Sequence, residues 1–173
     1  METDITLTDS ALRQAAQRGA DDFLELLTDA LLAAAGGALT AESMPKLSAE
    51  QHTLLAYRLF RDEMAEGGFV QLIQNGYGAY VFHNPFAKML RAWGLDDLAK
   101  LVNRARKVYD AHHEELEREM SDEEFMALYE KFPQFEAPEE EFIEGEEDFT
   151  ARVAAYADEH LEEFVRVVED NNK

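Results

Sequence analysis

The sequence predicts an all-α protein, and three observations carry that prediction. Apolar residues recur three and four positions apart along most of the chain, helix-capping signatures precede several of those runs, and no segment shows the alternation of a half-buried strand.

Taken in order, a first helix runs from about Thr8 to Arg18 and breaks near Gly19. Asp21 and Asp22 open a second, with Phe23, Leu27, Ala30, Leu31 and Ala34 on one face, closed by Gly36-Gly37. After a loop containing Pro45, Ser48 and Gln51 form a capping box for a helix bearing Leu55, Leu59 and Phe60, which stops at Gly67-Gly68. Phe69 to Asn75 is a short helix, and Asn75-Gly76-Tyr77-Gly78 a turn whose asparagine and glycine supply positive φ. Asn84 before Pro85 starts a helix with Phe86, Met89, Leu90 and Trp93 as its buried stripe.

Asp96 opens a long helix that places Leu98, Leu101, Val102, Ala105, Val108, Tyr109 and His112 in one apolar register. Ser121 and Glu124 make a second capping box, ahead of Phe125, Leu128, Tyr129 and Phe132. Pro133 to Gly145, acidic and with two prolines, is expected to be irregular. A final helix carries Phe149, Val153, Tyr156, Ala157, His160, Leu161, Phe164, Val165 and Val168 over about five turns.

The 173 residues, 46% of them hydrophobic, suit a single compact multi-helix domain over residues 1–173, with an acidic C-terminal half. A domain of this size buries roughly 70% of its unfolded surface without needing disulfides or a metal. Cysteine is absent, which fits a reducing compartment and removes thiolate chemistry. The longest run free of polar residues, Ala30 to Leu39, falls short of the ~20 apolar residues of a spanning helix. The N-terminus opens acidic, as Met1-Glu2-Thr3-Asp4, where a signal peptide opens basic. The expectation is a soluble, cytoplasmic protein with no membrane partner.

Charge is the outlier. Thirty-seven acidic residues against sixteen basic give −21, a level of self-repulsion that disfavours compactness. Residues 1–113 carry 15 acidic and 11 basic side chains, whereas residues 114–173 carry 22 and 5. Between Glu114 and Thr150 stand 16 acids and only two bases, Arg118 and Lys131. Direct nucleic-acid binding is not expected, since Arg91, Lys100, Arg104, Arg106 and Lys107 are diluted by Asp96 and Asp97.

Chemistry finds little purchase. A carboxylate-bridged di-iron site needs Glu-x-x-His pairs, but the residues three before the histidines are Ala49, Tyr80, Tyr109, Asp110 and Ala157. His113-Glu114 is not continued into a zinc-protease motif, and aligning Gly145 with an EF-hand glycine puts Phe142 and Ala151 at ligand positions. No P-loop or dinucleotide fingerprint occurs. The best local cluster is His112-His113 with Asp110 and Glu117, read as His112 on the apolar seam and His113 solvated. The expectation is no enzyme, no cofactor and no metal.

The carboxylates are the better candidate. B-DNA presents one negative charge per ~1.7 Å of axis, and residues three and four apart share a helix face with a turn of ~5.4 Å. Glu114, Glu115, Glu117, Glu119, Asp122 and Glu123 can form one acidic row, and Glu139, Glu140, Glu141, Glu144, Glu146, Glu147 and Asp148 a second. Like charges at such spacing destabilise a helix, and a surface built only for solubility would mix signs. Phe125, Tyr129, Phe132, Phe135, Phe142 and Phe149, interleaved with the acids, argue against a loose acidic tail.

The segment from Arg58 through Gly67-Gly68-Phe69-Val70-Gln71, followed by Asn75-Gly76, resembles the Gly-Gly-Phe-x-Gln core of an all-helical bacterial family that includes a neisserial DNA mimic. The similarity reaches from about Ser48 to Tyr109 at motif level, and length and C-terminal acidity agree. Gly67, Gly68, Phe69 and Gln71 are read as a helix C-cap and buried turn. The resemblance implies a DNA mimic whose acidic surface occupies the DNA-binding site of a helix-turn-helix transcriptional repressor and blocks operator binding. A homodimer is possible. The alternatives are an acidic binder of another basic protein, such as a toxin or histone-like protein, and a metal-binding helical enzyme.

Overall fold

A computed structural model describes residues 5–170. In chain order the elements are β1 (Thr6–Thr8), α1 (Asp9–Arg18), α2 (Ala20–Ala34), α3 (Ala49–Glu66), α4 (Gly68–Gln74), α5 (Gly78–Phe82), α6 (Phe86–Ala92), α7 (Asp96–Glu117), α8 (Asp122–Lys131), α9 (Glu136–Glu159) and β2 (Arg166–Val168). Three-residue 3₁₀ turns lie at Met44–Lys46, Pro133–Phe135 and Leu161–Glu163. The protein is all-α, with two three-residue strands as its only sheet among the described residues. The chain clusters into two compact units, one made of the residues up to Arg58 and from Asp148 onward, the other of Leu59–Glu147.

In the first unit the Thr8 hydroxyl accepts a hydrogen bond from the Ala11 N–H at 3.2 Å and caps α1. Ser48 and Gln51 form the expected reciprocal box at the start of α3, with hydrogen bonds of 2.8 and 3.1 Å. Leu27, Leu31 and Leu54 are fully buried. The Tyr57 hydroxyl meets Thr150 Oγ1 at 2.8 Å, and Gln51 Nε2 donates to the Phe164 carbonyl at 2.8 Å, so these buried polar groups are satisfied.

Two expectations fail in this unit. The last helix does not reach Val168: it ends at Glu159, a 3₁₀ turn follows, and Arg166–Val168 leaves as a strand. That strand pairs in parallel with β1, Thr6 opposite Arg166 and Thr8 opposite Val168, although no strand was expected anywhere. Three residues are too few to show alternation, and of the apolar residues beyond α9 Phe164 and Val165 are buried while Leu161 and Val168 are only half-buried.

The second unit is built on aromatic side chains. Phe60, Phe69, Phe82, Phe86, Phe135 and Phe142 are nearly inaccessible. Phe60 meets Phe142 edge-on at 4.8 Å between centroids, and Phe69 stacks on Phe135 at 5.3 Å. Pro133–Gly145 is not irregular. A 3₁₀ turn buries Phe135, and α9 starts at Glu136, running through Pro138 and Gly145. Proline is harmless at the third helical residue because that N–H has no intrahelical partner.

Smaller corrections have the same character. Only Gly76 of the Asn75–Gly78 turn takes positive φ (91°); Asn75 sits at −77°, and Gly78 begins the short helix α5. Pro85, not Asn84, occupies the N-cap of α6, while Asn84 Nδ2 donates back to the Tyr80 carbonyl at 3.0 Å. His112 is not on the buried seam of α7: it leaves helical geometry (φ −133°, ψ 20°) and is exposed, its ring edge-on to Phe132 at 5.1 Å.

Candidate functional site

The Gly67-Gly68 turn shows why two glycines stand together. A Cβ on Gly67 would lie 2.2 Å from Gln71 Oε1, and one on Gly68 would lie 2.3 Å from Glu139 Oε1, in a backbone at φ +79°. The space is used. Glu139 Oε1 accepts the Phe69 N–H at 2.8 Å, and Tyr129 donates its hydroxyl proton to the Gly67 carbonyl at 2.9 Å. Gln71 Nε2 and Asn75 Nδ2 both donate to Glu63 Oε2, at 3.1 and 2.8 Å. With Phe69 fully buried, the expected C-cap and buried turn is what forms. Burial, foremost, pushes the Glu139 carboxyl above its ordinary range, against the Phe69 hydrogen bond that lowers it. Glu139 is thereby tied to the fold more than it is offered to a partner.

The first acidic row divides at the end of α7. Glu114, Glu115 and Glu117 follow the break at His112, and Arg118 is already extended (φ −62°, ψ 140°), so Glu119 and Asp122 do not continue one helix face. Glu115 pairs with Lys131. Glu117 accepts the Tyr109 hydroxyl at 2.9 Å and lies 3.4 Å from His113 Nδ1. The capping box of α8 closes as expected: the Glu124 N–H donates to Ser121 Oγ at 3.2 Å and Glu124 reaches back to the Ser121 N–H. Arg118, at 2.9 Å, holds the Glu124 carboxyl below its ordinary range, helped by Ser121.

The second row is helical. Glu140, Glu144 and Glu147 fall at i, i+4 and i+7 of α9, one exposed face about 10 Å long. Ile143, 61% exposed, stands among them. Glu141 pairs with Arg104 and Glu146 with Arg61. Asp148 falls in the other unit and accepts a hydrogen bond from Arg152 at 3.0 Å. Of the thirteen expected residues, Glu114, Glu119, Asp122, Glu123, Glu140, Glu144 and Glu147 are exposed and without an ion pair among the described residues.

The histidine cluster comes apart. His83 takes Asp110 at 2.9 Å, and that hydrogen bond, with Arg106, holds the Asp110 carboxyl below its ordinary range. His113 goes to Glu117, and His112 to Phe132. Among the described residues no group of three histidines or carboxylates could hold a metal ion, and no helix is long and apolar enough to cross a membrane. A short basic stripe, Lys100, Arg104 and Lys107 at i, i+4 and i+7 of α7, is exposed, with Arg104 paired to Glu141. Asp96 and Asp97, in the first turn of α7, line one cleft with Lys100, Arg104 and Glu141, so acids do dilute these bases as expected.

These elements can be set beside known proteins. The family described as DMP19-like protein matches residues 45–160, from just before α3 to the end of α9. The chain belongs to the DMP19-like family. It is 34% identical over 128 residues to the DNA mimic protein DMP19 of Neisseria meningitidis serogroup B, covering 73% of this chain and 77% of that relative. The DMP19-like match takes in the Gly67-Gly68 turn and all thirteen candidate carboxylates.

Proposed function

We propose that this chain is a DNA mimic: exposed carboxylates of α7, α8 and α9 occupy the DNA-binding surface of a basic protein, a helix-turn-helix transcriptional repressor, and keep it off its operator. The observation that carries this reading is that seven of the thirteen expected carboxylates, lying between Glu114 and Glu147, are exposed and carry no ion pair among the described residues. The family relative named as a DNA mimic supports it.

Magnitudes fit a partial imitation. Glu140, Glu144 and Glu147 give one charge per ~5 Å of helix, against one per ~3.4 Å along a single DNA strand. A second set from Glu114 to Glu123 raises the density toward that of the duplex. Arg and Lys of the partner that would contact phosphate meet carboxylates instead, in charge-assisted hydrogen bonds.

The test is competition. Repressors captured by the chain at low salt are purified and loaded with fluorescent operator duplex, and the chain is titrated against them. Wild type displaces the duplex. Two triple variants, Glu114, Glu119 and Glu123 to Lys, and Glu140, Glu144 and Glu147 to Lys, each need at least about tenfold more protein, a loss of about 1.4 kcal/mol or more shared by three charge contacts. Both keep their melting temperature, since exposed substitutions move stability by less than ~0.5 kcal/mol. A control at Asp21, Asp22 and Glu25 displaces like wild type. Competition by both C-terminal triples at wild-type strength would show that the carboxylates serve solubility alone.

A further inference from the structure

Residues 113–118 carry three of the acidic residues, yet they are cut off from the regular part of α7 by the break at His112. Side chains from elsewhere in the same unit hold them. Gln74, at the end of α4, donates through Nε2 to the Leu116 carbonyl and, at 3.1 Å, to that of Arg118. Those carbonyls lie where a helix runs out of intrahelical donors. Tyr109, the last buried residue before the break, donates its hydroxyl to Glu117 Oε2 at 2.9 Å. Leu116 is fully buried between these two attachments.

Tyr109 is itself held tightly. A Cβ on Gly78 would lie 2.6 Å from Tyr109 Cε1, so glycine there makes room for the ring and not for a turn. The ring packs on Phe82 at 5.0 Å and His83 at 5.2 Å between centroids. Its phenol is pushed up to about 12, by burial first and then by Glu117, and stays a donor across the physiological range.

We propose that Gln74 and Tyr109 are positioning residues that fix the direction of segment 113–118, so that Glu114 and the following Glu119 are set before a partner arrives. The proposal rests on the DNA-mimic reading above and specifies where its affinity comes from: carboxylates ordered in advance lose less freedom on binding.

The experiment has a partner-free arm and a binding arm. In the first, amide hydrogen exchange is followed in Gln74→Ala/Tyr109→Phe and in Glu117→Gln. The double variant raises exchange at residues 113–118 by about tenfold or more and leaves residues 98–105 at wild-type protection, as a local opening does. Glu117→Gln keeps an oxygen for the Tyr109 hydroxyl and retains protection, while its Tyr109 phenol, followed by carbon-13 NMR, titrates below that of the wild type because the adjacent charge is gone.

In the second arm, the double variant needs about three- to tenfold more protein than wild type to displace the fluorescent operator duplex, although it removes no charge. Unchanged exchange at 113–118 in the double variant overturns the proposal. So does loosened exchange with unchanged displacement, which leaves the DNA-mimic reading standing because wild type still competes. Failure of wild type itself to displace duplex removes that reading, and the exchange arm then decides alone whether the segment is held as described.

Discussion

Residues 96–111 and residues 113–117 are counted in one helix, α7, but different forces hold them. The first stretch has its own apolar seam, Leu98, Leu101, Val102, Ala105 and Tyr109, and is placed by burial. The second contributes a single buried residue, Leu116, and depends on Gln74, Tyr109 and Lys131 to stay where it is. A helix with a continuous seam is written into its own sequence. A charged segment that repels itself is placed by neighbours far away in the chain.

The largest effect that separates the two stretches is a cavity. Leu101→Ala removes a fully buried side chain from the seam and costs about 2–5 kcal/mol in urea unfolding. Leu116→Ala, equally buried, is expected to loosen residues 113–118 in hydrogen exchange at a smaller global cost, since only one short segment has to let go. Equal global losses would mean that both stretches belong to one cooperative core.

The next effect falls on the cap that ends the tethered region. Ser121→Ala removes the acceptor for the Glu124 N–H and is expected to cost about 1 kcal/mol. It also removes the hydroxyl hydrogen bond to Glu124, whose carboxyl then moves part of the way up toward its ordinary range in an NMR titration, while Arg118 and the backbone N–H of residue 121 still lower it.

The smallest effect concerns Glu139 and depends on pH. Its folded-state carboxyl is raised, so its contribution to stability is complete below the unfolded value of about 4.3 and is lost as pH rises through the folded value. Glu139→Gln keeps an oxygen for the Phe69 N–H. It is expected to match wild type near pH 4 and to equal or exceed it near pH 7, in melting temperatures taken across that range. A variant that is less stable than wild type only at neutral pH would contradict the raised carboxyl.

Much of this was legible in the sequence, for reasons that differ by residue. Both capping boxes were, because Ser48 with Gln51 and Ser121 with Glu124 need only local geometry. The boundaries at Gly19 and Gly36 were, because each takes positive φ. Pro138 misled, since its first-turn position carries no penalty that composition could reveal. Gly78 misled because its role is to admit Tyr109, a contact 31 residues away. The strand at Arg166–Val168 is specified by its partner Thr6–Thr8 across the whole chain, not by its own three residues.

At the candidate site, exposure followed the acidic count but engagement did not. Nothing local distinguishes Glu139 from Glu140. Only the φ of Gly68 and the free Phe69 N–H, 70 residues earlier, draw the first inward and leave the second in solvent.

The basic stripe of α7 adds a consequence for how the molecule meets another. Lys100 and Lys107 stand on the regular stretch of α7 and Glu114 and Glu117 follow the break at His112, so charge reverses sign beyond the ~16 Å of helix from Lys100 to Ala111. That exceeds the ~8 Å screening length at physiological salt, so neither end cancels the other at contact. In the field of a cationic surface such a body feels a torque. It rotates the lysines outward and the glutamates inward while the two molecules are still apart, narrowing the set of orientations from which an encounter can succeed. Salt then slows arrival far more than it hastens departure.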